Sequence, residues 1–222
     1  MKTRIILSLL FVLFSSSVFA TSDATVSSSQ IKTIEAQARD LNPDALEAAL
    51  KPYEKARANG MDPQQILTVV DFSKPSTENR FYVIDFKNNK VLYNTLVAHG
   101  SKSGGNYSTH FSNNPGSNES SLGLYLTGQP YYGSRDGYDL LLHGLTPGYN
   151  TNAERRAVIV HGANYVNPEF AASVGRLGRS WGCFALEKSI SRPVINTIKG
   201  GTLIFAYAPD PQFLNSSAYM AI

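Results

Sequence analysis

Apolar residues recur along this chain with two periods, and the change from one to the other divides it. From Asn42-Pro43 onward, Leu46, Ala49, Leu50 and Tyr53 fall at helical spacing and Asn59-Gly60 supplies a stop. This predicts a helical prelude over residues 42–64, with Pro52 expected to kink or split the helix. Beyond it the apolar runs become short and rich in Val, Ile, Leu, Phe and Tyr. They predict strands at 65–72, 80–86, 91–98, 122–127, 139–143, 157–161 and 201–208, with Asn88-Asn89 folding 80–98 into a β-hairpin. Gly104-Gly105 marks 100–107 as a flexible loop, and 112–117 is a dense cluster of turn formers. Two short helices interrupt the strands. One opens with Asn167 as cap and Pro168 at the first helical position, and the other runs from a Ser191 cap through Val194, Ile195 and Ile198, with Ile190 stapling onto Ile195. Many short strands and few helices predict a mainly β fold, an antiparallel or mixed sandwich or barrel-like sheet with an N-terminal helical segment. One domain is expected over 65–210, with a tail at 211–222.

The N-terminus reads differently. Lys2 and Arg4 precede an apolar run at 5–14 and the small-residue stretch ending Val18-Phe19-Ala20, the layout of a secretory signal peptide over 1–20. Residues 21–41 are expected to form a flexible leader that opens with a Ser- and Thr-rich stretch. No later run approaches the roughly 18 to 20 apolar residues that span a bilayer. An exported protein of the periplasm or cell envelope, with no membrane span after signal cleavage, is therefore expected. The formal charge of +3 falls to +1 when Lys2 and Arg4 are removed, which gives no electrostatic case for nucleic acid.

Candidate chemistry centres on Cys183, the only cysteine in the sequence, set in Gly178-Arg179-Ser180-Trp181-Gly182-Cys183. In an oxidising compartment a lone cysteine is either an inert small hydrophobe or a reactive thiol, and the flanking glycine and upstream histidine favour the reactive reading. His143 and His161 each end an apolar strand and are followed by glycine, so a rigid element holds the ring while backbone stays open to a substrate. His99 and His110 sit in or beside polar loops and read as solvated or capping residues. No CxxC or HExxH spacing occurs and no acidic residue stands near His143, His161 or Cys183, so neither a metal nor another cofactor is expected.

His161-Gly162 followed downstream by Ser180-Trp181-Gly182-Cys183 resembles the signature of the murein L,D-transpeptidase catalytic domain, and the resemblance extends over 46–208 through the strand order, His99-Gly100 and the 111–123 segment. It implies an L,D-transpeptidase-type β-sandwich and a cell-wall cysteine acyltransferase. Papain-like wall hydrolases place cysteine before histidine, and sortases need an arginine after the cysteine, where only Arg192 occurs. The implied substrate is a peptidoglycan stem peptide, attacked after its L-centred diamino acid with release of D-alanine, and carbapenems become expected inhibitors. Cys183 is the implied nucleophile and His161 the general base, oriented by a backbone carbonyl at or near Gly162. Backbone N–H groups of Gly182 and Cys183 are the implied oxyanion donors, with Ser180 fixing the loop or binding substrate. The family commonly carries arginine two residues after the cysteine, but here that position is Ala185. Arg179 or Arg176 is the expected substitute at a substrate carboxylate, with His143, Trp181 and Tyr165 around the cleft. An L,D-carboxypeptidase or endopeptidase on the same scaffold and a non-catalytic wall-binding domain are the alternatives.

Overall fold

The computed structural model describes residues 24–133 and 137–222, so the expected signal peptide lies outside the described residues. Strands β1 (Ile66–Asp71), β2 (Phe81–Asp85), β3 (Lys90–Thr95), β4 (Val97–Ala98), β5 (Gly123–Gly133), β6 (Gly137–Gly144), β7 (Ile159–Ala163), β8 (Phe184–Glu187) and β9 (Leu203–Tyr207) form one nine-stranded sheet. Its order is β3-β2-β1-β9-β5-β6-β7-β8-β4. The β1–β9 and β7–β8 pairs are parallel and the rest antiparallel, so the mixed, mainly β architecture expected from the pattern is the one present. The outermost strands β3 and β4 are separated along the chain by Leu96 alone, which brings the two edges together and nearly closes the sheet. The return arm of the hairpin therefore ends at Thr95. Val97 and Ala98, expected to continue it, leave to pair with Leu186 and Ala185.

Helices α1 (Ser28–Gln37), α2 (Pro43–Ala58), α3 (Pro168–Val174), α4 (Lys188–Ile198) and α5 (Pro211–Leu214) surround the sheet. Four expectations are revised here. The stretch 21–41 is not a flexible leader throughout: a Ser27/Gln30 capping box starts α1, Ile34 is fully buried, and Gln30 Nε2 donates to the Phe86 carbonyl at 2.8 Å. Of the kink or split expected at Pro52, the split does not occur, since α2 continues through it to Ala58. Its buried stripe of Leu46, Ala49, Tyr53 and Ala56 offsets the roughly 3 kcal/mol that an interior proline costs. Ser191 is no cap: α4 follows β8 directly, Glu187 makes no side-chain cap bond, and Ser191 Oγ donates back to the Lys188 carbonyl at 3.1 Å. The apolar face of Val194, Ile195 and Ile198 is buried as its spacing implied. Gly162 lets α4 lie against β7, since a Cβ there would meet Ser191 Oγ at 2.4 Å. The residues expected as a tail also join the core through Phe213 and Tyr219, whose hydroxyl donates to the Ala48 carbonyl.

The two faces of β7 and β8 differ. Val160, Phe184 and Leu186 point into the main core, while Ala98, Ala163 and Ala185 carry a smaller cluster with Leu96, Val166, Ala171 and Leu177. Small residues on that second face leave room for the returning segment 164–182, which ends at Cys183.

Candidate active site

The parallel register of β7 and β8 pairs Val160 with Phe184 and His161 with Ala185. Cys183 stands one residue before β8, so strand alternation sets Cys183, Ala185 and His161 on one face. Strand rise and spacing put the cysteine and histidine Cα atoms about 8 Å apart, within reach of two inclined side chains. His161 is 4% exposed, and its Nδ1 lies 3.3 Å from the Gly162 carbonyl. A proton on Nδ1 directed at that oxygen leaves Nε2 with the lone pair of a base. Cys183 is half-buried, carries a thiol, and donates it to the Ala157 carbonyl at 3.5 Å. Ala157 itself sits at φ 52°, a left-handed conformation that costs a non-glycine residue free energy.

Ser180 holds the loop together. Its N–H donates to the His99 carbonyl at 2.9 Å, its carbonyl accepts from Ser101 at 2.8 Å, and its hydroxyl donates to the Cys183 carbonyl at 2.7 Å. The same oxygen accepts from the Gly182 N–H at 3.2 Å. That amide, implied as an oxyanion donor, is therefore spent inside the loop. Gly182 has φ 119°, and a Cβ there would fall 2.7 Å from the Glu119 carbonyl oxygen and 3.1 Å from Arg156 Nη2. Both the backbone conformation and the close approach demand glycine.

The remaining sequence candidates divide. Nη1 of Arg179 donates to the carbonyls of Gly104 at 2.8 Å and Ser101 at 3.3 Å, tying the 100–107 loop to the cysteine loop, while Nη1 of Arg176 donates to the Leu177 carbonyl at 2.8 Å. Tyr165 packs on Gly178 and the small-residue cluster. Trp181, two residues before Cys183, is by contrast 67% exposed. His110 is exposed and bonds to Thr109 Oγ1. His99 is buried and its Nδ1 meets Arg80 Nη2 at 2.7 Å, so it accepts from the guanidinium. Burial, with the Arg80 charge adding, pulls its pKa down to about 3.

Acidic groups, absent beside these residues in the sequence, are brought in by the fold. His143 Nδ1 lies 3.0 Å from Glu154 Oε2. The β6–β7 register pairs Leu140 with Val160 and Leu141 with Ile159. Continued by one pair it sets Asp139, 2% exposed, across from His161, and continued the other way it sets His143 level with Ala157. Among the described residues no group of three His, Cys, Asp or Glu could hold a metal.

Arg156 is the residue that sequence reasoning missed. Its Nη1 donates to the Ser112 carbonyl at 2.7 Å and to Ser121 Oγ at 2.5 Å, and its Nη2 to Ser117 Oγ at 3.2 Å and the Glu119 carbonyl at 2.5 Å. It thereby folds the 112–121 loop against Gly182. Nothing local distinguishes it from its exposed neighbour Arg155.

Solved structures similar to the chain include an L,D-transpeptidase from Mycobacterium smegmatis, at 16% identity and TM-score 0.41, covering 65% of this chain and 59% of that one. An LD transpeptidase in complex with imipenem aligns at 18% identity and TM-score 0.38, covering 64% and 59%. The helical cell shape determining protein Pgp2 from Campylobacter jejuni aligns at 12% identity and TM-score 0.44, covering 68% and 49%. The chain thus spans about half to three-fifths of the length of these structures. No curated protein sequence matches it significantly. The profile of the L,D-transpeptidase catalytic domain matches residues 37–207, and by that match the chain belongs to the L,D-transpeptidase catalytic domain family.

Proposed function

We propose that this protein is an exported cell-wall cysteine acyltransferase that performs L,D-transpeptidation on peptidoglycan stem peptides. The observation that carries the proposal is the β7–β8 register, with a thiol and an imidazole two residues out of step on one face. In this reading His161 Nε2 takes the Cys183 proton and the thiolate attacks the carbonyl after the diamino acid. The tetrahedral oxyanion is stabilised by the backbone N–H of Cys183, since the Gly182 amide is held by Ser180. The intermediate collapses to a thioester as the imidazolium returns the proton to the leaving D-alanine amine. The amine of an acceptor stem then displaces the cysteine and closes the cross-link. Trp181 forms an exposed wall of the cleft, and the N–H groups of Arg179 other than its carbonyl-bound Nη1 serve a substrate carboxylate. A carbapenem acylates Cys183 by the same first step. Residues 1–20 direct export as a signal peptide.

Incubating the protein with a purified tetrapeptide muropeptide and weighing the products tests this. A dimer lacking one alanine is expected. A tripeptide reassigns the protein to L,D-carboxypeptidase activity. Cys183→Ala should abolish turnover and carbapenem labelling together, and His161→Ala should slow turnover by about 10²- to 10⁴-fold with the fold intact. Turnover surviving in Cys183→Ala rules out the nucleophile.

A further inference from the structure

A half-buried guanidinium beside a thiol is costly unless its charge is used, and Arg156 is such a group. All four of its Nη protons go to neutral oxygens, those of Ser112, Ser121, Ser117 and Glu119, and the ion pairs formed among the described residues do not include it. Its position relative to the nucleophile is set at two points. Nη2 stands 3.1 Å from where a Gly182 Cβ would be, and the carbonyl of the next residue, Ala157, accepts the Cys183 thiol at 3.5 Å. The arginine and the cysteine therefore meet through both of their chain neighbours.

We propose that Arg156 is a positioning residue for Cys183, its guanidinium supplying the positive potential that favours the thiolate while its fork of bonds holds the 112–121 loop against the cysteine loop. The proposal rests on the reading of Cys183 as nucleophile and adds to it the group that makes the sulfur ionisable. In the resting state the Ala157 carbonyl holds the thiol proton. When that proton passes to His161 the sulfur is left negative next to a carbonyl oxygen, a repulsion that a nearby cation offsets. Burial lowers the Arg156 pKa while the charge of Cys183 acts to raise it, the reciprocal of the same attraction. The other titratable groups around this point are His161 on β7, Asp139 and His143 on β6, Glu154 of the β6–β7 connection, which bonds to His143, Glu119 in the held loop, and Tyr125 on β5. Burial pushes the Tyr125 hydroxyl above its usual range and keeps it neutral.

The test is the pH profile of Cys183 alkylation by iodoacetamide, read by mass. It needs no muropeptide, so its outcome is separate from that of the turnover experiment. Arg156→Gln should raise the midpoint by about one pH unit. Arg156→Lys, which keeps the charge, should stay near wild type. Ser117→Asp leaves the arginine in place and sets a carboxylate against Nη2, so it should raise the midpoint as well, whereas Ser121→Ala, which removes a tie but no charge, should not. A folded Arg156→Gln with the wild-type midpoint overturns the proposal, as does Ser121→Ala shifting as far as Arg156→Gln. If Arg156→Gln does not fold, Ser117→Asp decides: a raised midpoint supports the electrostatic role and an unchanged one overturns it.

Discussion

Arg80 and Arg156 spend their donors alike and serve opposite ends. Arg80 is fully buried, gives Nε and Nη2 to the Val97 carbonyl at 3.1 and 2.9 Å and Nη1 to the Lys74 carbonyl at 2.9 Å, and lies 5.2 Å over the Phe72 ring. Burial pulls its pKa down to about 9, against the attraction of Asp71. These bonds lock β2 to the β3–β4 junction, where the edges of the sheet meet. Arg156 is half-buried and binds only one loop, but that loop lies against Gly182, the residue before Cys183. Arg80 reaches the cysteine loop as well, through His99, whose carbonyl accepts from Ser180. Saturating a guanidinium with neutral acceptors makes a staple anywhere; burial decides whether the staple serves the fold or a site.

The largest effect expected from breaking this contrast is at Arg80. Arg80→Met fills the space but removes the guanidinium donors to the Val97 and Lys74 carbonyls and to His99 Nδ1. Urea unfolding should show a loss of about 3–5 kcal/mol. Arg156→Gln, at a half-exposed loop, should lose less than half as much. Equal losses would erase the distinction between the two arginines.

Next in size is the pH response of the Arg80 side. Folded His99 titrates near 3 and the unfolded residue near 6.5, so between those values the unfolded chain binds the extra proton and stability falls as pH falls, by up to about 1.4 kcal/mol per unit. Asp62 works the other way. Burial raises its pKa from 3.8 to about 6, so its folded form holds a proton in that window and its contribution is lost as pH rises through 6. Asp71, also raised by burial, adds to Asp62. In melts from pH 7 to 4, Asp62→Asn should steepen the acid loss and His99→Gln should flatten or invert it. Parallel curves for the two variants would show that neither group carries the response.

The smallest effect is expected outside both staples. The His143–Glu154 pair has side chains 40% and 66% exposed, so His143→Ala should cost under about 1 kcal/mol and leave turnover within about threefold. A larger fall in turnover would make His143 part of the site.

Strand positions were legible because alternation and β-branched residues repeat locally, as in Ile66–Asp71 and Leu203–Tyr207. Strand β8 was not: four residues after a glycine turn carry too little pattern, and Phe184 reads as core in any conformation. Helix α1 had its Ser27/Gln30 capping box in plain view, but a single apolar residue, Ile34, is fully buried by it, and a polar stretch of that kind reads as leader.

The amino-acid order by itself determined the mainly β character, the apolar faces, and the choice of Cys183 and His161, because each rests on residue types at short spacing. Tertiary structure alone decided what surrounds them. The pairing of His161 with Ala185, of Val160 with Leu140, and the four oxygens gathered on Arg156 are meetings between segments far apart in the chain. A guanidinium and its acceptors carry no periodicity or spacing that marks them as partners until the sheet has closed and brought their loops together.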